Sequence, residues 1–369
     1  MSKRCVLELF DEITSLNRIE LDRLLSLYES KLGIPEVRSV RHPDVVDDRV
    51  FIFAYEINGE AYRIMRAAEE CSGGVLYFPR GVYEIDRMLE IGNCCSFLLH
   101  KSAVLKAVRE LPFVLVYDAG RSYPELKESN GHLIPSPDPD AEDWNLFIKG
   151  GYVDGAGLAS CICLNSFKHF TMRDISLRNG KKYGLRIEEE GSAWTYELIA
   201  QNLYVKCTMP GLAGNAGISS NGGDSHFIDC VVVDYTRGFE MLGGGSNRLT
   251  RCHVWGGPVP PRAEGELPEM LVDSVNYVLS SYDALLTDCY ADTGKTGFLV
   301  TENARLIGCS YFNNYSYQMD DVTVIDHRSG ALLVSNCMFR KDSPKATLYK
   351  GSKENVIWSD NLLTGDMVF

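Results

Sequence analysis

The sequence predicts an all-β solenoid of stacked parallel coils behind an α-helical amino-terminal segment. Three observations predict it: helical periodicity gives way to strand periodicity near residue 73, a short phrase then recurs every 20 to 37 residues, and cysteine keeps one place in that phrase.

Residues 5–31 carry Leu7, Phe10, Ile13, Leu16, Leu21, Leu24 and Leu25 at helical spacing with charges between them, the pattern of one or two amphipathic helices. A further helix is expected from about Gly59 to Cys71, where Ala61, Ile64, Met65, Ala67 and Ala68 share one side and Ser72-Gly73-Gly74 supplies the stop. Residues 1–72 are therefore drawn as a helical segment and cap, and 73–369 as the coils. From Val75 onward short β-rich runs alternate with Gly, Asn and Asp, the signal of strands and tight turns.

The recurring phrase reads Phe227-Ile228-Asp229-Cys230-Val231-Val232, then Leu249-Thr250-Arg251-Cys252-His253-Val254, then Leu286-Thr287-Asp288-Cys289-Tyr290-Ala291, with two more copies centred on Cys309 and Cys337. Weaker copies lie at 172–177, 200–205 and 358–363. The residue before the cysteine place is Asp174, Asn202, Asp229, Arg251, Asp288, Gly308, Asn336 or Asp360. A period of this size, made of short strands, suits one coil that buries its apolar side by stacking on its neighbours. Cys230, Cys252, Cys289, Cys309 and Cys337 then form an inward ladder, where a thiol behaves as a small hydrophobe. The Asn and Asp row before it suits tight corners.

Composition narrows the function. With 45% hydrophobic and 24% charged residues the chain is an ordinary folded protein, and its net charge of −13 opposes nucleic acid and bare anionic membranes as partners. No stretch reaches the roughly 18 apolar residues of a membrane-spanning helix. Glu8, Asp11 and Glu12 interrupt what would be the apolar core of a secretory signal, so a cytoplasmic location is expected. The twelve cysteines are accordingly read as mostly reduced, and neither Cys94/Cys95 nor Cys161/Cys163 has the partners of a zinc site. No phosphate-cradling glycine motif is present, so no organic cofactor is expected.

Gly73-Gly74-Val75-Leu76-Tyr77-Phe78-Pro79-Arg80-Gly81, directly after an Ala-rich helix, resembles the entry segment of the pectate-lyase-like right-handed parallel β-helix proteins. Gly150-Gly151-Tyr152-Val153-Asp154-Gly155-Ala156-Gly157 is similar to a phrase of the polygalacturonase-related members, and residues 170–177 to the coil after it. The resemblance covers about residues 50–369 and implies a right-handed parallel β-helix. It does not imply the reaction, because the polygalacturonase catalytic phrases are absent and Asp320-Asp321, the nearest paired acids, reads as a surface turn.

Strand alternation points Arg186, Ser219 and Glu240 outward from successive coils, since Leu185, Ile218, Phe239 and Met241 take the inward places. Glycosidic cleavage takes two carboxyl groups, and Asp229 with Glu240 is the candidate catalytic pair. Their spacing, with a Gly-rich turn after Glu240, resembles the Asp and Glu of the inulin fructotransferase and difructose-anhydride hydrolase family. By that analogy Glu240 is the acid, Asp229 its partner, and the assembly a trimer. Sliding the comparison by one coil puts Arg251 at the Asp position. Arg186, Asp224, His226, Asp234, Trp255 and Trp194 are candidate substrate-binding residues, the two tryptophans because an indole stacks on a sugar face. The Pro-rich insertion after Trp255 reads as a loop beside the Glu240 coil. Outward Tyr204, Val231, Tyr290 and Met338 are apolar enough to suggest a homo-oligomer.

The reading reached is an enzyme that cleaves or rearranges a glycosidic bond in a small oligosaccharide, with no metal. Two alternatives stay open: a polysaccharide lyase acting by β-elimination with calcium, and a noncatalytic trimeric β-helix that binds glycans.

Overall fold

The structure is a computed structural model. It describes residues 37–40, 50–53, 61–70, 74–92, 95–118, 126–129, 132–135, 146–165, 167–187, 195–209, 214–256, 273–312, 322–340 and 346–364. The helices expected within 5–31 lie outside the described residues, as do Trp194, Asp320-Asp321 and nearly all of the insertion after Trp255. The helix expected over 59–71 is present as Ala61–Glu70, with Ala61, Ile64, Ala67 and Ala68 buried against the first coils. No helix among the described residues is long and apolar enough to cross a membrane.

Three parallel sheets wrap one core. Among the described residues sheet A has thirteen strands, sheet B eleven and sheet C ten, and from Val75 on the chain visits them in the order A, B, C. Parallel pairing joins each strand to its counterpart one coil on, as Phe227 to Leu249 in A, Val232 to Val254 in B and Phe239 to Tyr277 in C. Strands Val37–Val40 and Val50–Phe53, paired antiparallel with each other, extend sheet A before the helix, the second pairing in parallel with Val75–Phe78. The sheet therefore begins inside the segment drawn as helical, where Val50-Phe51-Ile52-Phe53 is too short an apolar run to show a period. A hairpin, Leu126–Ser129 with His132–Pro135, is inserted between a sheet C strand and the next sheet A strand.

The corner from A to B explains the recurring phrase. Asp174, Asn202, Asp229, Arg251, Asp288, Asn336 and Asp360 all have φ between 53° and 56° or within two degrees of it, and Gly308 takes 66°. This left-handed conformation turns the chain in one residue, and Asn, Asp and Gly tolerate it best. The corner amide donates to the next coil, Asn202 N–H to Ile228 O at 2.9 Å and Asp229 N–H to Thr250 O at 3.0 Å. Directly inside the corner stands the cysteine ladder. All five thiols are buried, and each donates to a carbonyl one coil back, Cys252 to Phe227 O and Cys289 to Leu249 O, both at 3.4 Å.

Aromatic rings continue the stacking behind sheet C. Phe239 and Tyr277 lie 5.5 Å apart at 7°, and Tyr277 and Phe298 lie 5.3 Å apart at 10°. Where sheet C begins, its backbone closes on sheet B: a Cβ on Gly217 would lie 2.2 Å from Val232 Cγ1 and 3.0 Å from Gly238 O. A side chain of any size there would push the two sheets apart.

Candidate functional site on sheet C

Sheet C places three polar side chains in one outward column. Arg186 stands opposite Ser219, and Ser219 opposite Glu240, on strands Tyr183–Ile187, Ala216–Ser220 and Arg237–Met241. The inward Leu185, Ile187, Ile218, Phe239 and Met241 are all buried in the core, which fixes the three as outward. Arg186 Nη1 donates to Ser219 Oγ at 2.8 Å, and Ser219 Oγ donates to Glu240 Oε2 at 2.9 Å. Arg237, three residues before Glu240, brings its Nε to 3.8 Å from Oε1.

The column is shielded on one side. Phe113, Val116 and Cys163 pack on the outer face of the preceding coils with Met88 and Tyr183. The Arg186 guanidinium lies 5.3 Å from the Tyr183 ring, a cation over an aromatic face. Arg186 is thereby only 7% exposed, and its Nε has no hydrogen-bond partner. Glu240 keeps 18% of its side chain exposed and is the carboxylate that solvent or a ligand reaches. Past it the column turns apolar at Val278 and Leu299, then charged at Asp326, which pairs with Arg328 at 3.0 Å.

Asp229 is not part of this group, which corrects the expected pair. Asp229 is the corner residue between sheets A and B, whereas Glu240 belongs to sheet C, and that corner does not border sheet C in the coil. Arg251, the corner residue of the next coil, grips Asp229 through Nε at 2.7 Å and Nη2 at 2.9 Å. This guanidinium holds the Asp229 carboxyl below the usual carboxylate range. Its residue type answers to the turn and its charge to the neighbouring coil.

The other candidates are dispersed around the coil. Asp224 is exposed at the turn from C to A with φ 51°. His226 points outward from sheet A between Ile199 and Arg248. Asp234 is buried at the turn from B to C, with φ 62° and its amide donating to Trp255 O at 3.0 Å. Trp255 projects from sheet B. Arg186 and Glu240 alone are brought together, through Ser219. Arg237 was missed because it has the parity of inward Phe239, and only as the first residue of its strand does it stay a third exposed and reach Glu240.

Expected outward Tyr204, Val231, Tyr290 and Met338 stand in one column of sheet B, with His253 and Ser310 between them. Among the described residues no three His, Cys, Asp or Glu side chains converge as metal ligands would.

The coil architecture defines the class as a parallel β-helix, and residues 160–339 match the family model of the right handed beta helix region, the hand expected for it. No curated protein matches the sequence. Among solved structures the chain is similar to ORF18 of Geobacillus virus E2, at 13% identity and a TM-score of 0.58, over 92% of this chain and 74% of that one. It is similar to an alginate lyase from Paenibacillus sp., at 12% identity and a TM-score of 0.54, over 81% of this chain and 97% of that one. It is also similar to a tailspike of E. coli bacteriophage HK620, solved as a double mutant with a pentasaccharide, at 10% identity and a TM-score of 0.50, over 85% of this chain and 65% of that one. At such identities the likeness is one of fold.

Proposed function

We propose that the protein is a carbohydrate-active β-helix that breaks or rearranges a glycosidic bond of a small oligosaccharide lying along sheet C, with Glu240 as its proton-transferring carboxylate. The observation that carries this reading is the in-register chain from Arg186 through Ser219 to Glu240, which fixes one partly exposed carboxylate on a rigid face. The alginate lyase and the pentasaccharide-bound tailspike, carbohydrate proteins of the same fold, support the class and leave the reaction open. Within one chain Asp229 and Glu240 stand on different faces, so the inulin fructotransferase analogy would bring the two together only across a subunit boundary. Hydrolysis would draw its second carboxyl group from elsewhere.

A second reading, elimination from an acidic sugar, is favoured by the two guanidinium groups near Glu240. A lyase needs a cation at the uronate carboxylate and a base at the adjacent C–H. Arg237, with 33% of its side chain exposed, and Glu240 are placed to divide those roles. Calcium would belong to this reading. Assembly as a homo-oligomer, a trimer by analogy, and a cytoplasmic location are further proposals, to be tested by light scattering and fractionation.

The test is product analysis by mass spectrometry and ultraviolet absorbance, with wild type and Glu240→Gln on fructo-oligosaccharides, difructose anhydrides, oligogalacturonides and oligoalginates. Saturated products lost in the variant support glycosidic cleavage. An unsaturated, absorbing product moves the assignment to elimination. Binding without turnover makes the protein a glycan-binding module.

A further inference from the structure

Exposure on the outer face of sheet C rises toward the edge it shares with sheet A. Around Glu240, the register neighbours Ser219 and Val278 are buried, whereas Leu242, two residues after Glu240 on the same face, is 39% exposed. Past Leu242 the chain turns toward sheet A. Tyr282, at that turn one coil on, is 70% exposed, and among the described residues no large hydrophobic side chain is more so.

Backbone register fixes what stands beside this ring. The Tyr282 amide donates to Gly244 O at 3.2 Å, and the Asp224 amide to Gly245 O at 2.7 Å. These bonds set Tyr282 beside Gly245 of the preceding coil and Asp224 beside Ser246 of the following one, so Asp224 and Tyr282 stand on either side of a single coil. Two strand spacings, about 10 Å, separate their backbones. The floor between them is open, since a Cβ on Gly245 would meet nothing within 4 Å. Asp224 is exposed and Ser246 half-buried. Among the described residues the Tyr282 ring meets no other ring or cation, and the side chains of Asp224 and Ser246 make no hydrogen bond. Gly245 lies no more than about 17 Å from Glu240, the reach of the chain between them.

We infer that this edge is a binding subsite for a neutral hexose unit of the oligosaccharide that reaches Glu240, with Tyr282 as its stacking platform and Asp224 and Ser246 as partners of its hydroxyls. The subsite rests on the Glu240 reading for its place in the substrate. An uncovered aromatic face takes the C–H side of a sugar ring, and an unpaired carboxylate accepts from two hydroxyls at once. A uronate is disfavoured, because Asp224 lies on one side of the ring and exposed Glu302, the register neighbour of Tyr282 in the next coil, on the other.

The test is a glycan array of gluco-, manno-, galacto- and fructo-oligosaccharides beside oligogalacturonates and oligoalginates, probed with the full chain, then isothermal titration of the tightest neutral probe. A neutral probe binds more tightly than any uronate, and Tyr282→Ala weakens it about tenfold while Tyr282→Phe keeps it. Gly245→Leu fills the gap at a position where neither φ nor packing demands glycine, and gives the same loss. Circular dichroism checks the fold of each variant. The proposal is overturned if no neutral probe binds, if a uronate binds as tightly, if binding survives Tyr282→Ala and Gly245→Leu, or if light scattering shows that these variants change the protein's assembly. Turnover of the bound probe by Glu240→Gln at the wild-type rate would remove the Glu240 reading and leave the loss in Tyr282→Ala standing, so the two fail separately.

Discussion

Arg186 and Glu240, two coils apart on sheet C, share the hydroxyl of Ser219, which accepts from the first at 2.8 Å and donates to the second at 2.9 Å. A single hydroxyl therefore satisfies a shielded cation and orients an anion. Ser219→Ala leaves both charged groups short of a partner, and urea denaturation should show a loss of about 1–3 kcal/mol. A variant as stable as wild type would show that the chain of bonds does not hold the column together.

Asp229 separates the requirements of a corner from those of catalysis. Asp229→Asn keeps a residue that tolerates the left-handed conformation, so it should fold and leave turnover in the oligosaccharide assay unchanged. Asp229→Val puts a β-branched side chain at φ 54° and should cost about 1–2 kcal/mol. If Asp229→Asn folds normally but loses turnover, the corner is part of the site after all.

His253 makes stability depend on pH. Burial lowers its pKa from the ordinary histidine value of 6.5, so below that value the unfolded chain takes up a proton that the folded chain resists. The folded state is then favoured less as pH falls through the window beneath 6.5. Urea midpoints measured at about pH 5 and about pH 7 should differ less in His253→Gln than in wild type. An equal difference in the two proteins would show that His253 does not set the dependence.

Gly217→Ala tests the close approach of sheets B and C. The added methyl meets Val232 and the Gly238 carbonyl, both fixed by their own coils, and thermal unfolding should report a loss of about 1–3 kcal/mol.

Much of the fold was legible because the coil writes itself into the sequence. The one-residue corner selects Asn, Asp or Gly, and the place inside it selects a small apolar side chain, so Asp288-Cys289 and Asn336-Cys337 mark the same point on successive coils. Alternation about Phe239 and Met241 likewise points Glu240 outward. Pairing Asp229 with Glu240 failed for a physical reason: the ten residues between them cross the whole of sheet B and a second corner, so closeness in sequence carries the chain to a different face. Trp255 and Asp292 show the converse. They are register neighbours across the long insertion, whose length hid their pairing. The helical reading of residues 5–31 has no described counterpart.

The corner ladder also makes the molecule modular along its axis. From Asp174 on, each coil leaves sheet A through a single left-handed residue and returns about 4.8 Å further on, so the ends of one whole coil match the ends of the next. Residues 289–308, one corner to the next, form a cassette that excision or duplication would remove or repeat without breaking the register of either flank. Length could drift by whole cassettes there while the Arg186, Ser219 and Glu240 coils, upstream of it, keep their spacing. The same operation between Arg186 and Glu240 would change which side chains meet, which makes the number of coils between them a heritable setting of the site.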